Sequence, residues 1–152
     1  MKYLLVSDTH GNRSRLEELL AAGDYDGFIH LGDGIAEAEQ TSGFYPEKIF
    51  IGVCGNCDFS AGEPVERVSR VGGVPVFICH GHKYGVKGGL VRLAAAAKER
   101  GCRAAFYGHT HAPSVKNKDG VLLVNPGSLG YCREYAVITV SDGEIIPELK
   151  KM

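Results

Sequence analysis

The sequence lacks a charge excess, a long apolar run and any low-complexity or repeated segment. Its formal net charge is -1 over 152 residues, which argues against a broad basic face for duplex nucleic acid. The first apolar run is interrupted at Asp8, too early for a secretory signal, and no segment approaches the length of a membrane span. No linker divides the chain. We therefore expect one domain over residues 1–152, with no membrane partner.

The sequence also lacks a cysteine framework. Its five cysteines are odd in number and irregularly spaced, so they predict reduced thiols and a cytoplasmic location. Glycine, by contrast, is abundant: 21 residues are about twice the usual share of a globular chain. Many of them flank polar residues, where a tight turn or a close backbone approach to an ion requires them.

Apolar patterning predicts ten strands and three helices. The first half alternates strand and helix, and the tail reads as a β-meander. This order predicts an α/β fold in which a mixed sheet and an antiparallel sheet pack face to face with helices outside. The predicted strands are Lys2–Ser7, Gly27–Leu31, Lys48–Cys54, Val65–Val71, Val74–Cys79, Arg103–Tyr107, Ser114–Lys118, Val121–Val124, Tyr135–Val140 and Glu144–Leu149, and the predicted helices are Arg13–Ala22, Ile35–Gln40 and Leu90–Arg100.

Five short polar segments each follow one of these strands. Because the carboxyl ends of parallel strands meet at one edge of a sheet, we expect the polar side chains to lie together. Carboxylate oxygen and imidazole nitrogen are ligands that hold Mn, Fe or Zn. Seven such ligands exceed the needs of one ion, so two ions sharing a carboxylate fit the count, an arrangement used for phosphoester hydrolysis. The segments are Ser7-Asp8-Thr9-His10-Gly11-Asn12, Leu31-Gly32-Asp33-Gly34, Gly55-Asn56-Cys57-Asp58, His80-Gly81-His82 and Gly108-His109-Thr110-His111.

Each candidate ligand also has a structural interpretation. Asp8 could cap the following helix, although Asn12 or Ser14 is better placed to do so. Asp33 could be a turn residue and Asn56 a left-handed turn residue. Within its strand, His30 is expected to be a hydrogen-bonded core histidine. The loop Asn125-Pro126-Gly127-Ser128 is expected to be a tight turn, with substrate contact as the alternative.

The order D-x-H, GD, GN, HG and GH-x-H resembles the calcineurin-like metallophosphoesterase superfamily. The small size, together with GNCD and NPGS, is most similar to its compact prokaryotic branch, the YfcE-like phosphodiesterases. The resemblance extends from Asp8 to Ser128. It implies a four-layer αββα sandwich and hydrolysis by a hydroxide that bridges two divalent ions, with Mn first and Fe, Zn, Ni or Co as alternatives.

The resemblance also implies a role for each matching residue. The first ion is expected to take one set of three ligands, the second ion another set, and one carboxylate is expected to bridge them and to be essential for catalysis. The resemblance implies no role for His82. We expect it to contact a phosphate oxygen or to protonate the leaving group, unless it is a solvent-facing histidine. The first set is Asp8, His10 and His111, the second is Asn56, His80 and His109, and the bridging residue is Asp33.

One position departs from the superfamily pattern. Many members have histidine directly after the asparagine, followed by an acid that orients it, whereas this chain has Cys57 followed by Asp58. A thiol is neutral or anionic and never cationic. We therefore expect metal binding to be kept and hydrolysis of poor leaving groups to be weak.

Other functions remain open at this point. Cys54-Gly55-Asn56-Cys57 is a C-x-x-C that can mark thiol–disulfide exchange, but that interpretation leaves the aspartates and histidines unexplained. A retromer subunit resembles the same superfamily and serves as a protein-binding scaffold. A phosphomonoesterase is a third alternative. The expected substrate is a small phosphodiester, and the Leu/Val-rich edges of the terminal strands could pair two chains.

Overall fold

The computed structural model describes residues 1–59 and 62–152. The described residues form ten strands, four α-helices and one 3₁₀ turn. The strands are β1 (Lys2–Val6), β2 (Gly27–His30), β3 (Ile49–Gly52), β4 (Glu66–Val71), β5 (Val74–Cys79), β6 (Ala104–Phe106), β7 (Ser114–Lys118), β8 (Val121–Asn125), β9 (Glu134–Ser141) and β10 (Glu144–Lys151); the helices are α1 (Arg13–Ala22), α2 (Ile35–Ser42), α3 (Val91–Glu99) and α4 (Leu129–Cys132), and the 3₁₀ turn is His82–Tyr84.

The strands form two five-stranded sheets. The first has the order β10-β9-β1-β2-β3 and the second β4-β5-β6-β8-β7. Each sheet has a parallel centre: β1, β2 and β3 run parallel in the first, and β5, β6 and β8 in the second. Their outer strands pair antiparallel. Both sheets are therefore mixed.

The sheets pack face to face with helices on both outer faces, which confirms the predicted four-layer sandwich. Leu5 and Ile29 of the first sheet meet Ile78 and Phe106 of the second in the central core. Because side chains alternate along a strand, the neighbouring residues of the same strands face outward, where helices cover them. The helix-facing residues include Leu4, Val6 and Phe28 under α1 and α2, and Phe77 and Ala105 under α3.

This double burial explains the continuous apolar runs of the central strands. Phe28 and Ile29 on β2 face opposite layers and are both fully buried. Removing each such side chain from water stabilises the fold by about 1.5–3 kcal/mol. Parallel strands covered on both faces show this pattern, whereas half-exposed strands alternate.

The structure corrects two predictions about the tail. The second sheet is mixed rather than antiparallel, because β6 lies parallel to β8. The last four strands are not one meander: β7 and β8 belong to the second sheet, and β9 and β10 belong to the first. The chain changes sheet between β8 and β9 through the short helix α4, which the sequence did not predict because four residues show no helical periodicity.

The remaining element bounds agree with the sequence to within a few residues. The helix α1 and the strands β5 and β7 match their predicted ranges. The hairpin turns at Gly72-Gly73, Asp119-Gly120 and Asp142-Gly143 all have two successive residues with positive φ, as two-residue type I′ turns require. Within the described ranges, no helix is both long and apolar enough to cross a membrane.

Candidate metal centre

The predicted polar segments meet at one edge of the sandwich, beyond the ends of β1, β2, β3, β5 and β6. Of the eight non-glycine residues that have positive φ in the described chain, five are candidate ligands. Left-handed backbone is uncommon outside glycine and is often found at functional sites. These residues leave their strands in conformations that turn the side chains toward one another. They are Asp8, His10, Asp33, His109 and His111.

Asp8 is one of the fully buried members of the cluster. Its Oδ2 accepts hydrogen bonds from Ser7 Oγ at 2.5 Å and from the His109 backbone N–H at 3.2 Å. Its other oxygen, Oδ1, lies 3.0 Å from His111 Nε2 and 3.4 Å from His10 Nε2. Two protein donors thus fix one oxygen and leave the other facing the histidines. Asp8 does not cap α1.

Asp33 has the same division of its two oxygens. Oδ1 accepts the Cys57 backbone N–H at 2.8 Å. Oδ2 lies 3.3 Å from His80 Nε2 and 3.8 Å from His10 Nε2. Burial opposes ionisation of this carboxyl, but hydrogen bonds and charge from His80 outweigh it and hold the pKa of Asp33 below its ordinary value. The carboxylate is therefore anionic at neutral pH.

His80 is fully buried at the end of β5. Its Nδ1 lies 2.7 Å from the Leu31 carbonyl oxygen, which requires that Nδ1 carry the proton and donate it there. This leaves Nε2 facing Asp33 and 3.2 Å from His109 Nδ1. Although burial lowers it, the pKa of His80 is raised overall by Asp33 and Asp8. A backbone carbonyl that fixes one imidazole nitrogen is a common way to aim the other at a metal.

His10 provides the test of whether a cation fits here. Its Nε2 is buried without a hydrogen-bond partner in the described chain, although it faces two carboxylates. Its distances to Asp8 Oδ1 and Asp33 Oδ2, 3.4 and 3.8 Å, suit atoms that each lie about 2.0–2.2 Å from a shared ion. The ligand atoms of Asp8, His10 and His111 lie within 4.8 Å of one another, as do those of Asp8, Asp33 and His80. The residues fit divalent cations.

Two predicted site residues, Asn56 and His82, lie at the margin of this cluster. Asn56 is exposed, and its recorded contact is Nδ2 to Cys57 Sγ at 3.5 Å, so its hydrogen bonds do not reach His80 or His109. The His82 ring centroid lies 5.6 Å from that of His80 and 6.1 Å from that of His109, and its Nδ1 is buried without a partner in the described chain. Burial, followed by the charges of His80 and Lys83, lowers the pKa of His82.

Cys57 lies closer to the cluster than the sequence implied. Its Sγ is within 4.8 Å of ligand atoms of His10 and Asp33. Burial, Asp33 and Asp58 raise its pKa, and burial together with nearby acids also raises that of Cys54. Thiol–disulfide exchange instead favours a lowered thiol pKa. The redox interpretation of the C-x-x-C therefore finds no support in this environment.

Asp58 has a role that the sequence did not reveal. Its two carboxylate oxygens accept four backbone N–H groups, from Asp33 at 2.7 Å, Gly34 at 2.9 Å, Ile35 at 3.1 Å and Gly55 at 2.8 Å. The Gly34 and Ile35 groups are unpaired donors at the start of α2, where a carboxylate is favourable. Asp58 thereby joins the loop after β3 to the loop that carries Asp33.

The loop after β8 braces the other side of the cluster. Asn125 is fully buried and donates from Nδ2 to the Gly108 carbonyl at 3.2 Å and to Thr110 Oγ1 at 2.9 Å. Ser128 Oγ donates to the Asp8 carbonyl at 2.9 Å. The segment is the end of β8 and the loop that leads into α4, rather than the predicted tight turn between strands, and it holds the loops that carry Asp8, His109 and His111. The Tyr131 ring stacks on His10, with centroids 4.7 Å apart.

His30 is a core histidine, as the sequence indicated. Its Nδ1 accepts the Gly32 N–H at 3.1 Å, and its Nε2 lies 3.0 Å from Thr9 Oγ1, which donates to Glu37 Oε2 at 2.8 Å. Both ring nitrogens are thereby satisfied in the neutral form. Burial is the largest influence on this ring and lowers the pKa of His30 to about 4.

Comparison with known proteins places this cluster in a family. A cluster of aspartate and histidine at the carboxyl edge of two mixed sheets is the arrangement expected of a metal-binding α/β protein. The calcineurin-like phosphoesterase superfamily domain matches residues 1–143, and the chain belongs to that superfamily. It is 30% identical over 149 residues to the probable metallophosphoesterase YsnB of Bacillus subtilis, covering 93% of this chain and 86% of YsnB.

Solved structures agree with this assignment. A predicted phosphoesterase from Streptococcus pneumoniae is 29% identical, with a TM-score of 0.80 over 99% of this chain and 88% of that one. An archaeal phosphodiesterase, 20% identical with a TM-score of 0.74, covers 99% of this chain and 100% of its own. Vps29 of Entamoeba histolytica, solved with zinc, is 19% identical with a TM-score of 0.76 and covers 99% of each chain. The last two likenesses concern the fold alone.

We predict that His30 makes stability depend on pH. The native ring has a pKa of about 4, below its unfolded value of about 6.5. Between these values the unfolded chain binds a proton that the native chain does not, so the free energy of unfolding falls as pH drops from about 6.5 to about 4, by about 3 kcal/mol from this group. Urea unfolding at pH 7 and pH 5 should show a smaller fall for His30→Gln than for wild type. Equal falls would contradict the assignment.

We predict that Asp58→Asn weakens both stability and metal binding. The new amide NH₂ would face backbone N–H donors, leaving some of them unpaired at a cost of about 1–3 kcal/mol. Chemical denaturation of the metal-free protein measures the first effect, and calorimetric titration with Mn²⁺ measures the second. Asp24→Asn, at an exposed residue, is the matched control and should change neither. Normal metal affinity in Asp58→Asn would show that the loop of Asp33 does not depend on this carboxylate.

Proposed function

We propose that this chain is a metal-dependent phosphodiesterase that hydrolyses small diesters with two divalent ions. One observation carries the proposal. Asp33 Oδ2 lies between His80 Nε2, at 3.3 Å, and His10 Nε2, at 3.8 Å, so a single carboxylate oxygen faces nitrogens from both predicted ligand sets. A shared carboxylate is what a two-ion site requires.

Two ligand sets would hold the ions. Asp33 is proposed to serve both sets as the bridge. Asn56 is included on the family match, and its exposed position means that its side chain must rotate inward to bind. The mixture of carboxylate, amide and imidazole suits Mn²⁺ first, with Fe, Zn, Ni or Co as alternatives. The first set is Asp8, His10 and His111, and the second is Asn56, His80 and His109.

When bound, the ions would supply a hydroxide nucleophile at neutral pH and neutralise charge that develops on the phosphate oxygens. The chain's own groups hold the geometry. Ser7 and the His109 N–H keep Asp8 from rotating, and the Cys57 N–H does the same for Asp33. We assign His82 to donate an N–H to a phosphate oxygen of the substrate. Its lowered pKa favours the neutral imidazole and makes it a poor proton source for a leaving group.

Support for a diester comes from the fold and the openness of the edge. The archaeal protein that shares this fold is described as a phosphodiesterase. A cavity of about 350 Å³ opens beside His10, Asp33 and Cys57, with exposed Phe59 on its wall. An open cavity of this size suits small or generic diesters. We also propose a cytoplasmic location for the enzyme.

A protein-binding scaffold is the second candidate. The likeness to Vps29 favours it at the level of fold, and Cys57 in place of the usual histidine is compatible with a weak or silent site. Against it, Asp8, Asp33 and His80 are buried and aimed at one another. A scaffold does not need buried carboxylates that face histidines.

The deciding experiment compares bis-p-nitrophenyl phosphate with p-nitrophenyl phosphate. Metal-stripped protein should be inactive, and Mn²⁺ should restore turnover of the diester in preference to the monoester. Asp33→Ala and its isosteric partner Asp33→Asn should each lose at least about 10²–10³-fold in kcat, since charge stabilisation at the reacting phosphate is lost. The secondary structure of both variants is checked by circular dichroism.

Two outcomes would contradict the proposal. Full activity in the Asp33 variants would remove the bridging assignment. Bound metal in the wild-type protein with turnover of neither ester would favour the scaffold.

We predict that Cys57→His speeds hydrolysis of diesters with poor leaving groups. An imidazolium can stabilise the transition state or protonate a departing alkoxide, whereas a thiol cannot act as a cation. Such general-acid assistance is worth about 10²–10⁴-fold where it operates. The gain in kcat should be largest for an alkyl diester and small for bis-p-nitrophenyl phosphate, whose leaving group needs no proton. Cys57→Ser is the control of similar size, and equal gains on both substrates would count against this explanation.

A further inference from the structure

Two cavities of opposite charge flank the candidate metal centre. The cavity beside His10 includes three acids in its wall, Asp33, Glu37 and Asp58. The second cavity, also of about 350 Å³, begins at Thr110, the residue between His109 and His111. Its lining has two lysines and no acid. The centre therefore borders an acidic cavity at His10 and Asp33 and a basic cavity at Thr110.

The basic side is built from two separate parts of the fold. Lys87 comes from the glycine-rich segment before α3, and Lys116 comes from β7. Ser114 lines the same cavity, and because alternate residues of a strand share a face, β7 presents Ser114, Lys116 and Lys118 on one side. Lys116 and Lys118 also line a smaller adjoining cavity of about 220 Å³. The basic surface thus extends away from the metal centre along β7.

These lysines are not neutralised by the protein. Across residues 1–59 and 62–152, no ion pair involves Lys87, Lys116 or Lys118. By contrast, Arg67, Arg100 and Lys150 each pair with a glutamate. With a net charge of only -1 over the chain, this concentration of unpaired positive charge is local. A compact anion placed between Lys87 and Lys116 would gain from both.

We propose that the cavity between Lys87 and Lys116 binds a second phosphate group of the substrate. This inference rests on the proposed phosphodiesterase function and deepens it: the preferred substrate is a small diester that also carries a terminal phosphate. A phosphate monoester has a charge of about -1.5 to -2 at neutral pH, and lysine ammonium groups bind it as point charges. Because Lys87 and Lys116 line the second cavity, whereas Glu37 and Asp58 line the first, a second phosphate beyond the one at the ions points toward β7.

The test uses two substrates that differ only in this phosphate. Thymidine 5′-(p-nitrophenyl phosphate) and its 3′-phosphorylated form share the same scissile bond and the same leaving group. For the Mn²⁺-loaded protein at low ionic strength, we expect kcat/KM to be about tenfold higher for the 3′-phosphorylated form, as two partly exposed charge pairs would give. The preference should shrink in about 0.5 M salt, where charges are screened within a few ångströms.

A matched pair of double variants isolates the cavity. Lys87→Gln with Lys116→Gln should bring the two kcat/KM values together while leaving the unphosphorylated substrate within about twofold of wild type, since exposed lysines contribute little to stability. Lys98→Gln with Lys151→Gln removes the same charge from exposed positions outside both cavities. This control should keep the preference.

The outcomes separate this inference from the proposed function. If the unphosphorylated diester is cleaved but the 3′-phosphate gives no preference, the subsite is wrong and the phosphodiesterase function stands. If neither diester is cleaved, the function fails, and calorimetry of the metal-loaded protein still tests the subsite. Thymidine 3′,5′-bisphosphate should then bind about tenfold more tightly than thymidine 5′-phosphate, as two such charge pairs imply, and the Lys87/Lys116 variant should abolish that difference. Equal affinities would overturn the subsite.

Discussion

The structure of the site depends on the burial of two carboxylates at the open edge of a sandwich. A buried charge is strongly unfavourable unless hydrogen bonds and opposite charge compensate it. Asp8 and Asp33 meet this requirement in the same way, with one oxygen held by backbone or hydroxyl donors and the other turned to histidines. The loops around them are arranged to supply those donors. A divalent cation is the natural completion of this arrangement, because it compensates both carboxylates at once.

The loops that carry the two carboxylates and their hydrogen-bond donors have strained backbone. Asp8, Asp33 and His109 are all left-handed residues, and such conformations persist only where the surroundings determine them. The surroundings here are the largely buried strands that precede each loop and the bracing side chains Asp58 and Asn125. The rigid double-sided core thus fixes where each strand ends, and the hydrogen-bonded loops fix where each side chain points.

The sequence was sufficient to predict the elements that depend on local pattern. Strand ends, hairpin turns and the meeting of polar segments at one edge followed from apolar periodicity and glycine positions. The division of the tail between two sheets did not, because it depends on the long-range pairing of β6 with β8 and of β1 with β9. The bracing role of Asn125 was missed for the same reason, and the helix α4 was missed because four residues show no helical periodicity. The spacing of the motifs also could not predict where Asn56 lies relative to the cluster.

The structure changes how the departure at Cys57 is understood. By resemblance, the acid that follows this position orients a histidine, which would leave Asp58 without a purpose when the histidine is absent. In this chain Asp58 accepts four backbone N–H groups and connects the loops after β2 and β3. Those bonds depend on the backbone and not on the side chain at position 57. The pairing of Asp58 with the loop of Asp33 therefore gives a physical reason to keep the acid whatever precedes it. The Cys57 thiol itself lies close to the Asp33 carboxylate, so the side chain at position 57 acts on the proposed metal centre directly, whereas Asp58 acts through the backbone.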